Sequence, residues 1–258
     1  QGVHSIIIEN RAAALQMRIA YIISLFFGPR RVQSEAYSKD RLAYLSKHLD
    51  QLKKLNHNVS KVIFVINEHD HRSGRIETER ASEMISNFKD ISSSVIIREN
   101  EGYSYAAWDA GLKKHSKDFD YCLLVEDDYA PVANNFDEKF REYFDKDDKL
   151  GYVCQLWWNH GGCTDFHAGI SNGLIKTSAY LSTEGFELTN FGSKDSYNRG
   201  IENQKFFLNS LIKKGYTARD IGDKYRNYFL NHRSELKLYG NKDGEDLILP
   251  IHENAKWI

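Results

Sequence analysis

From residue 18 onward, short apolar runs rich in β-branched and aromatic residues alternate with stretches whose apolar residues recur every three or four positions. The first run is Ile19 to Phe27. Leu42, Leu45, Leu49, Leu52 and Leu55 then make one stripe of a helix that begins near Ser38. Lys61 to Ile66 reads as a second strand, Thr78 to Phe88 as a helix, Val95 to Ile97 as a third strand and Tyr103 to His115 as another helix. Tyr121 to Val125 is a fourth strand, which stops abruptly at Glu126-Asp127-Asp128. Phe136, Phe140, Tyr143 and Phe144 mark a helix opening at Asn135, Tyr152 to Trp158 an aromatic-rich strand, and Glu202 to Lys214 a helix that Gly215 terminates. Only short elements are expected beyond Tyr225. Alternation of this kind is the pattern of βαβ units, so the fold class predicted is α/β, with a central, mainly parallel sheet flanked by helices.

Length sets the domain organisation. A chain of 258 residues can bury a full core in one large domain. The expected division is a catalytic domain over 17–224 and a C-terminal extension or lid over 225–258. Residues 1–16 read as a leader, because Met17-Arg18 stands directly before the first strand. The longest apolar run, Ile19 to Phe27, is less than half of a bilayer span, so no transmembrane segment is expected. A formal net charge of -1 with scattered basic residues argues against nucleic acid as a partner. Cys122, Cys154 and Cys163 are odd in number and lack zinc-ligand spacing, which suits reduced thiols in a cytoplasmic protein; peripheral attachment to a membrane and the oligomeric state stay open.

Chemistry enters at Glu126-Asp127-Asp128. Ligands of open α/β sheets bind beyond the carboxyl ends of the strands, and this triplet is delivered to such an end by Leu123-Leu124-Val125. Adjacent carboxylates repel one another, and a hard divalent cation with oxygen ligands, Mg²⁺ or Mn²⁺, relieves that repulsion. An isolated acidic triplet is more often a set of solvated turn acids. A second polar signature shifts the balance: Asn100-Glu101-Gly102 opens a helix whose Ala106, Ala107, Ala110 and Gly111 permit close packing near a ligand.

In this order the two signatures resemble the family 2-like glycosyltransferases of the GT-A fold, over roughly residues 18 to 216. That family has an Asn-x-Gly segment and small-residue helix, then a strand ending in Asp-x-Asp. The resemblance implies a metal-dependent enzyme that moves a sugar from a UDP-, GDP- or dTDP-linked donor to an acceptor hydroxyl of a carbohydrate or glycoconjugate. It implies Mn²⁺ or Mg²⁺ held by Asp128 and Glu126, with His252 completing the shell. The donor-binding residues it implies are Ser24, Asn67, Asn100, Gly102, Asp109, Glu126 and Asp127. The general base becomes Glu202, with Asp195 in reserve, because Asn203 stands where the family places its second acid. Asn67-Glu68 likewise differs from the acidic residue with which the family reads the nucleotide base.

Trp157, Trp158 and His160 follow a strand expected to end on the metal's side. An aromatic platform beside a polar edge suits the mixed surface of an acceptor sugar. A sugar-nucleotide pyrophosphorylase would need a glycine-rich, basic loop after the first strand, and Phe27-Gly28-Pro29-Arg30-Arg31 is poor in glycine. A sugar- or nucleotide-binding pseudoenzyme is the non-catalytic alternative, favoured by Asn203.

Overall fold

The computed structural model describes residues 17–27, 41–68, 72–154, 172–186, 206–221, 229–231 and 247–248. The first half is a run of strand–helix units. These are β1 (Ile19–Phe27), α1 (Arg41–Lys54), β2 (Val59–Glu68), α2 (Arg72–Asn87), β3 (Ser93–Glu99), α3 (Tyr103–His115) and, after a 3-10 turn at Ser116–Asp118, β4 (Tyr121–Glu126). There follow β5 (Tyr129–Pro131), α4 (Phe136–Phe144), β6 (Leu150–Cys154), β7 (Gly173–Lys176) and α5 (Thr177–Leu181). A helix over 206–213, α6, leads to β8 (Thr217–Asp220), then β9 (Phe229–Asn231) and β10 (Leu247–Ile248).

Eight strands form the main sheet in the order β10-β8-β6-β7-β4-β1-β2-β3, and β5 pairs separately with β9. β3, β2, β1 and β4 are mutually parallel, as are β6 and β8. β7 runs antiparallel between β4 and β6, and β10 antiparallel at the β8 edge. The α/β class expected from the alternation, a mainly parallel sheet flanked by helices, is therefore the one observed.

Period-2 alternation divides the core into two layers. On one face Tyr21, Ile23, Phe64, Ile66, Leu123 and Val125 pack with α1, α2 and α4. On the other, Ala20, Ile22, Ile63, Val65, Cys122 and Leu124 meet Ala107, Trp108 and Leu112 of α3 and the α5 and α6 side chains Tyr180 and Phe207. Burying each large apolar side chain contributes about 1.5–3 kcal/mol. The small residues read from the α3 sequence are used for close approach. A Cβ on Gly111 would stand 2.7 Å from Ile22 Cγ2, so α3 lies directly on β1. Gly215 has φ 85°, and the amides of Gly215 and Tyr216 bond back to Ile212 and Leu211, ending α6 where the sequence placed its stop.

Four described elements have no counterpart in the sequence reading: β5, β7, α5 and β8. Each is three to five residues long, too short for a period to separate strand from helix. α2 also begins earlier than its apolar spacing suggested, at Arg72 rather than near Thr78. Across β7, a Cβ on Gly173 would be driven into the Val153 carbonyl oxygen, so only glycine lets β7 slot between β4 and β6.

Candidate active site

At the carboxyl edge of the parallel strands, the face that packs on α3 changes from apolar to polar in register. Ala20 and Ile22 give way to Ser24, Ile63 and Val65 to Asn67, Ile96 to Arg98, and Cys122 and Leu124 to Glu126. Strand pairing sets Ser24 beside Glu126 and Asn67 beside Arg98. The result is a polar shelf at the end of an apolar layer, facing the amino end of α3. Gly102 begins that helix with φ 75° and ψ 18°, a left-handed conformation that favours glycine.

The shelf is internally wired. Asn67, 1% exposed, donates from Nδ2 to Ser24 Oγ at 3.2 Å and to the Leu25 carbonyl at 3.1 Å. Its Oδ1 accepts from Arg98 Nη1 at 2.5 Å. Arg98 is half-buried; desolvation lowers its pKa from the ordinary guanidinium value, and the charges of Glu101, Asp109 and Glu99 oppose that shift.

Glu126 is held from two sides. Its backbone N–H donates to Oδ1 of buried Asn172 at 2.6 Å, and its Oε1 accepts from Ser104 Oγ, in the first turn of α3, at 2.7 Å. Trp108 of α3 donates its indole N–H to the Val125 carbonyl at 3.1 Å. Asp127 and Asp128 form the turn between β4 and β5 and are 5% and 2% exposed. Beneath them, His48 Nε2 lies 2.9 Å from the Asp127 carbonyl and His48 Nδ1 lies 3.0 Å from Tyr21 Oη. A carbonyl only accepts, so Nε2 carries the proton and Nδ1 accepts from the tyrosine. Complete burial pushes the Tyr21 hydroxyl well above its usual pKa and keeps it a donor. Thus β1, through α1, fixes the backbone of the acidic turn.

The other predicted residues fall in two groups. Asn100 is exposed, and its N–H donates to the Glu68 carbonyl at 3.1 Å, tying the start of the α3 loop to β2. Asp109 is 1% exposed and accepts from Tyr180 Oη at 2.8 Å, from the Phe186 N–H at 3.2 Å and from Lys113 Nζ at 2.6 Å. In this structure it joins α3 to α5 and to the turn at Gly185, whose φ is 81°. Trp157, Trp158, His160, Asp195, Glu202 and His252 lie outside the described residues. β6 does run in the same direction as β4, so Cys154 ends it at the shelf's edge of the sheet.

Ser104, Arg98, Asn172 and His48 were not singled out from sequence. Ser104 lies inside the noted α3 segment, and Arg98 ends an apolar run, so both carried a faint signal; Asn172 and His48 carried none. Among the described residues, no group of three or more His, Cys, Asp or Glu is arranged to hold a metal ion. None of the described helices is long and apolar enough to cross a membrane.

No family model matches the chain, and no curated protein does. Solved structures match it in outline. A cytidylyltransferase from Leptospira borgpetersenii is 12% identical with a TM-score of 0.46, over 77% of this chain and 72% of its own. Mouse xyloside xylosyltransferase 1, in its apo form, is 10% identical with a TM-score of 0.42, over 88% of this chain and 99% of its own. A CMP:2-keto-3-deoxy-manno-octonic acid synthetase complexed with CTP is 11% identical with a TM-score of 0.36, over 53% of this chain and 51% of its own. The chain thus spans about half the length of that synthetase. These neighbours are of the nucleotidyltransferase and nucleotide-sugar transferase type.

Proposed function

We propose that this chain is a metal-dependent glycosyltransferase of the family 2-like, GT-A type, moving a sugar from a nucleoside diphosphate to an acceptor hydroxyl. The observation that carries the reading is the polar shelf at the carboxyl edge, where Glu126 lies beside Ser24 and bonds Ser104 at the start of α3, and the chain then turns through the buried Asp127 and Asp128. Glu126 and Asp128 supply hard oxygen ligands. Mg²⁺ and Mn²⁺ at nucleotide sites take one or two carboxylates and fill their remaining positions with water and phosphate oxygens, so two acids fit without a protein cage. When bound, the ion neutralises charge on the departing diphosphate.

The chain's own residues have separate tasks. Ser104 orients Glu126 through its 2.7 Å hydrogen bond, and Asn172 fixes the backbone on which that carboxylate sits. The buried turn keeps water from one side of the site. In the transfer, the bond from the anomeric carbon to the diphosphate oxygen breaks and one to the acceptor oxygen forms, with inversion. The acceptor's proton passes to a carboxylate, Glu202 or, in reserve, Asp195, an assignment resting on the resemblance. Trp157, Trp158 and His160 are assigned to the acceptor on the same ground, and His252 to the metal.

The test is turnover. With Mn²⁺ and the cognate donor, the protein should release nucleoside diphosphate, and Asp128→Asn should lower that rate at least about a hundredfold while staying folded. Release of inorganic pyrophosphate from a nucleoside triphosphate and a sugar phosphate would instead identify a nucleotidyltransferase. Tight donor binding without any turnover would identify a binding protein.

A further inference from the structure

Asn67 stands where an acidic residue would read a nucleobase, yet its amide is already committed. Nδ2 is shared between Ser24 Oγ and the Leu25 carbonyl, and Oδ1 is taken by Arg98. With 1% exposure, it has no face to offer a ligand. What it does is aim a guanidinium. Arg98 Nη1 is its partner at 2.5 Å, and among the described residues no other hydrogen bond or ion pair occupies the rest of the fork. A half-buried cation with open donors therefore lies over the end of β2.

Its place in the sheet says which part of a nucleotide it meets. The end of β2 is two strands from the acidic end of β4, with β1 between, a separation of roughly 10 Å at ordinary strand spacing. A diphosphate at Glu126 and Asp128 cannot also lie on Arg98, whereas the base of the same nucleotide extends about that far. A guanidinium has five donors and no acceptor, so it selects a base edge that presents two acceptors side by side. Guanine O6 and N7 form such an edge, as do cytosine O2 and N3, and the guanine pairing is the one that arginine makes most often with a base. Guanine also carries N1–H and an amino group next to O6. Glu101, three residues from Arg98 along the chain, is a carboxylate of the kind that accepts from both.

We infer that the donor nucleotide is a guanosine diphosphate derivative, selected by Arg98 through guanine O6 and N7 with Asn67 as its positioning residue. The inference rests on the donor site proposed above.

Binding of GDP, UDP, CDP and ADP to the full chain in the presence of Mn²⁺, measured by calorimetry, tests it. GDP should bind at least about tenfold more tightly than the others, and Arg98→Lys should remove that advantage. 7-Deaza-GDP, which lacks the N7 acceptor, should bind the wild-type chain more weakly than GDP and the Arg98→Lys chain no more weakly. Pyrophosphate affinity, which involves no base, should be the same in both proteins, and their unliganded melting temperatures should match. UDP, CDP or ADP binding as tightly as GDP would overturn the inference, as would a preference for GDP that persists in a folded Arg98→Lys, and each would leave the donor site standing. If neither pyrophosphate nor any nucleotide binds with Mn²⁺, the donor site and this inference fall together.

Discussion

His48 shows how much of the candidate site depends on one side chain remote from it in sequence. The imidazole is fully buried and bridges the Tyr21 hydroxyl to the Asp127 carbonyl. His48→Leu should cost about 1–3 kcal/mol, because it strips both groups of this partner in a dry layer. Thermal melting should show the loss, and Mn²⁺ affinity should fall with it because the acidic turn is no longer held. Asp137, at the start of α4, is a different kind of buried group. It is fully buried and accepts the Asn58 N–H at 2.6 Å, yet burial raises its pKa above the usual aspartate value, opposed by that hydrogen bond and others from the backbone. A raised folded pKa means that the folded chain holds the proton more tightly. The stabilisation it gives is complete below the unfolded pKa of about 4 and is lost as pH rises through the folded value. Asp137→Asn, which cannot ionise, should therefore gain melting temperature relative to the wild type as pH is raised from 4 to 7. A gap that stays constant with pH would contradict this account.

At the scale of elements, the glycines separate two kinds of close approach. Gly111 of α3 faces the Cγ2 branch methyl of a buried side chain, Ile22, whereas Gly173 of β7 faces backbone, at a shorter distance, across the β6 pairing. Gly173→Ala should thus destabilise by about 2–3 kcal/mol or prevent folding, and Gly111→Ala by about half as much. Urea titration of both variants compares them, and equal losses would refute the distinction. These contacts matter to the site because α3 carries Ser104 to Glu126 and β7 begins beside Asn172. The α3 helix itself was readable from its small residues and from Gly102. β7 was not, because four residues give no period and an antiparallel insertion leaves no mark on the strand it joins.

For the whole molecule, the described C-terminal strands pair with earlier ones. β9 pairs with β5, setting Asn231 against Tyr129, the residue after Asp128, and β10 extends the main sheet beyond β8. The acidic turn therefore sits between the first half of the chain and a strand that arrives a hundred residues later. A guanosine diphosphate sugar with Mn²⁺ should stabilise this arrangement by mass action, by about 2.7 kcal/mol when its concentration is a hundred times Kd. Chelation with EDTA should return the melting temperature to its unliganded value. A shift that survives chelation would rule out a metal-dependent donor site.

The sequence by itself determined the parallel half of the sheet, its helices and the acidic end of β4, because each rests on a local period or an abrupt change from apolar to acidic residues. Ser24 and Asn67 entered through the resemblance, as donor-binding residues. Which residue each polar group would meet was decided by the tertiary structure alone. Strand order put Arg98 on Asn67 and consumed the asparagine, and helix packing turned Asp109 onto Tyr180. His48 and Asn172 joined the acidic turn from 79 and 46 residues away. Hydrophobic periodicity reports which face of an element is buried; hydrogen bonds between distant elements depend on register and strand order, which no local pattern encodes.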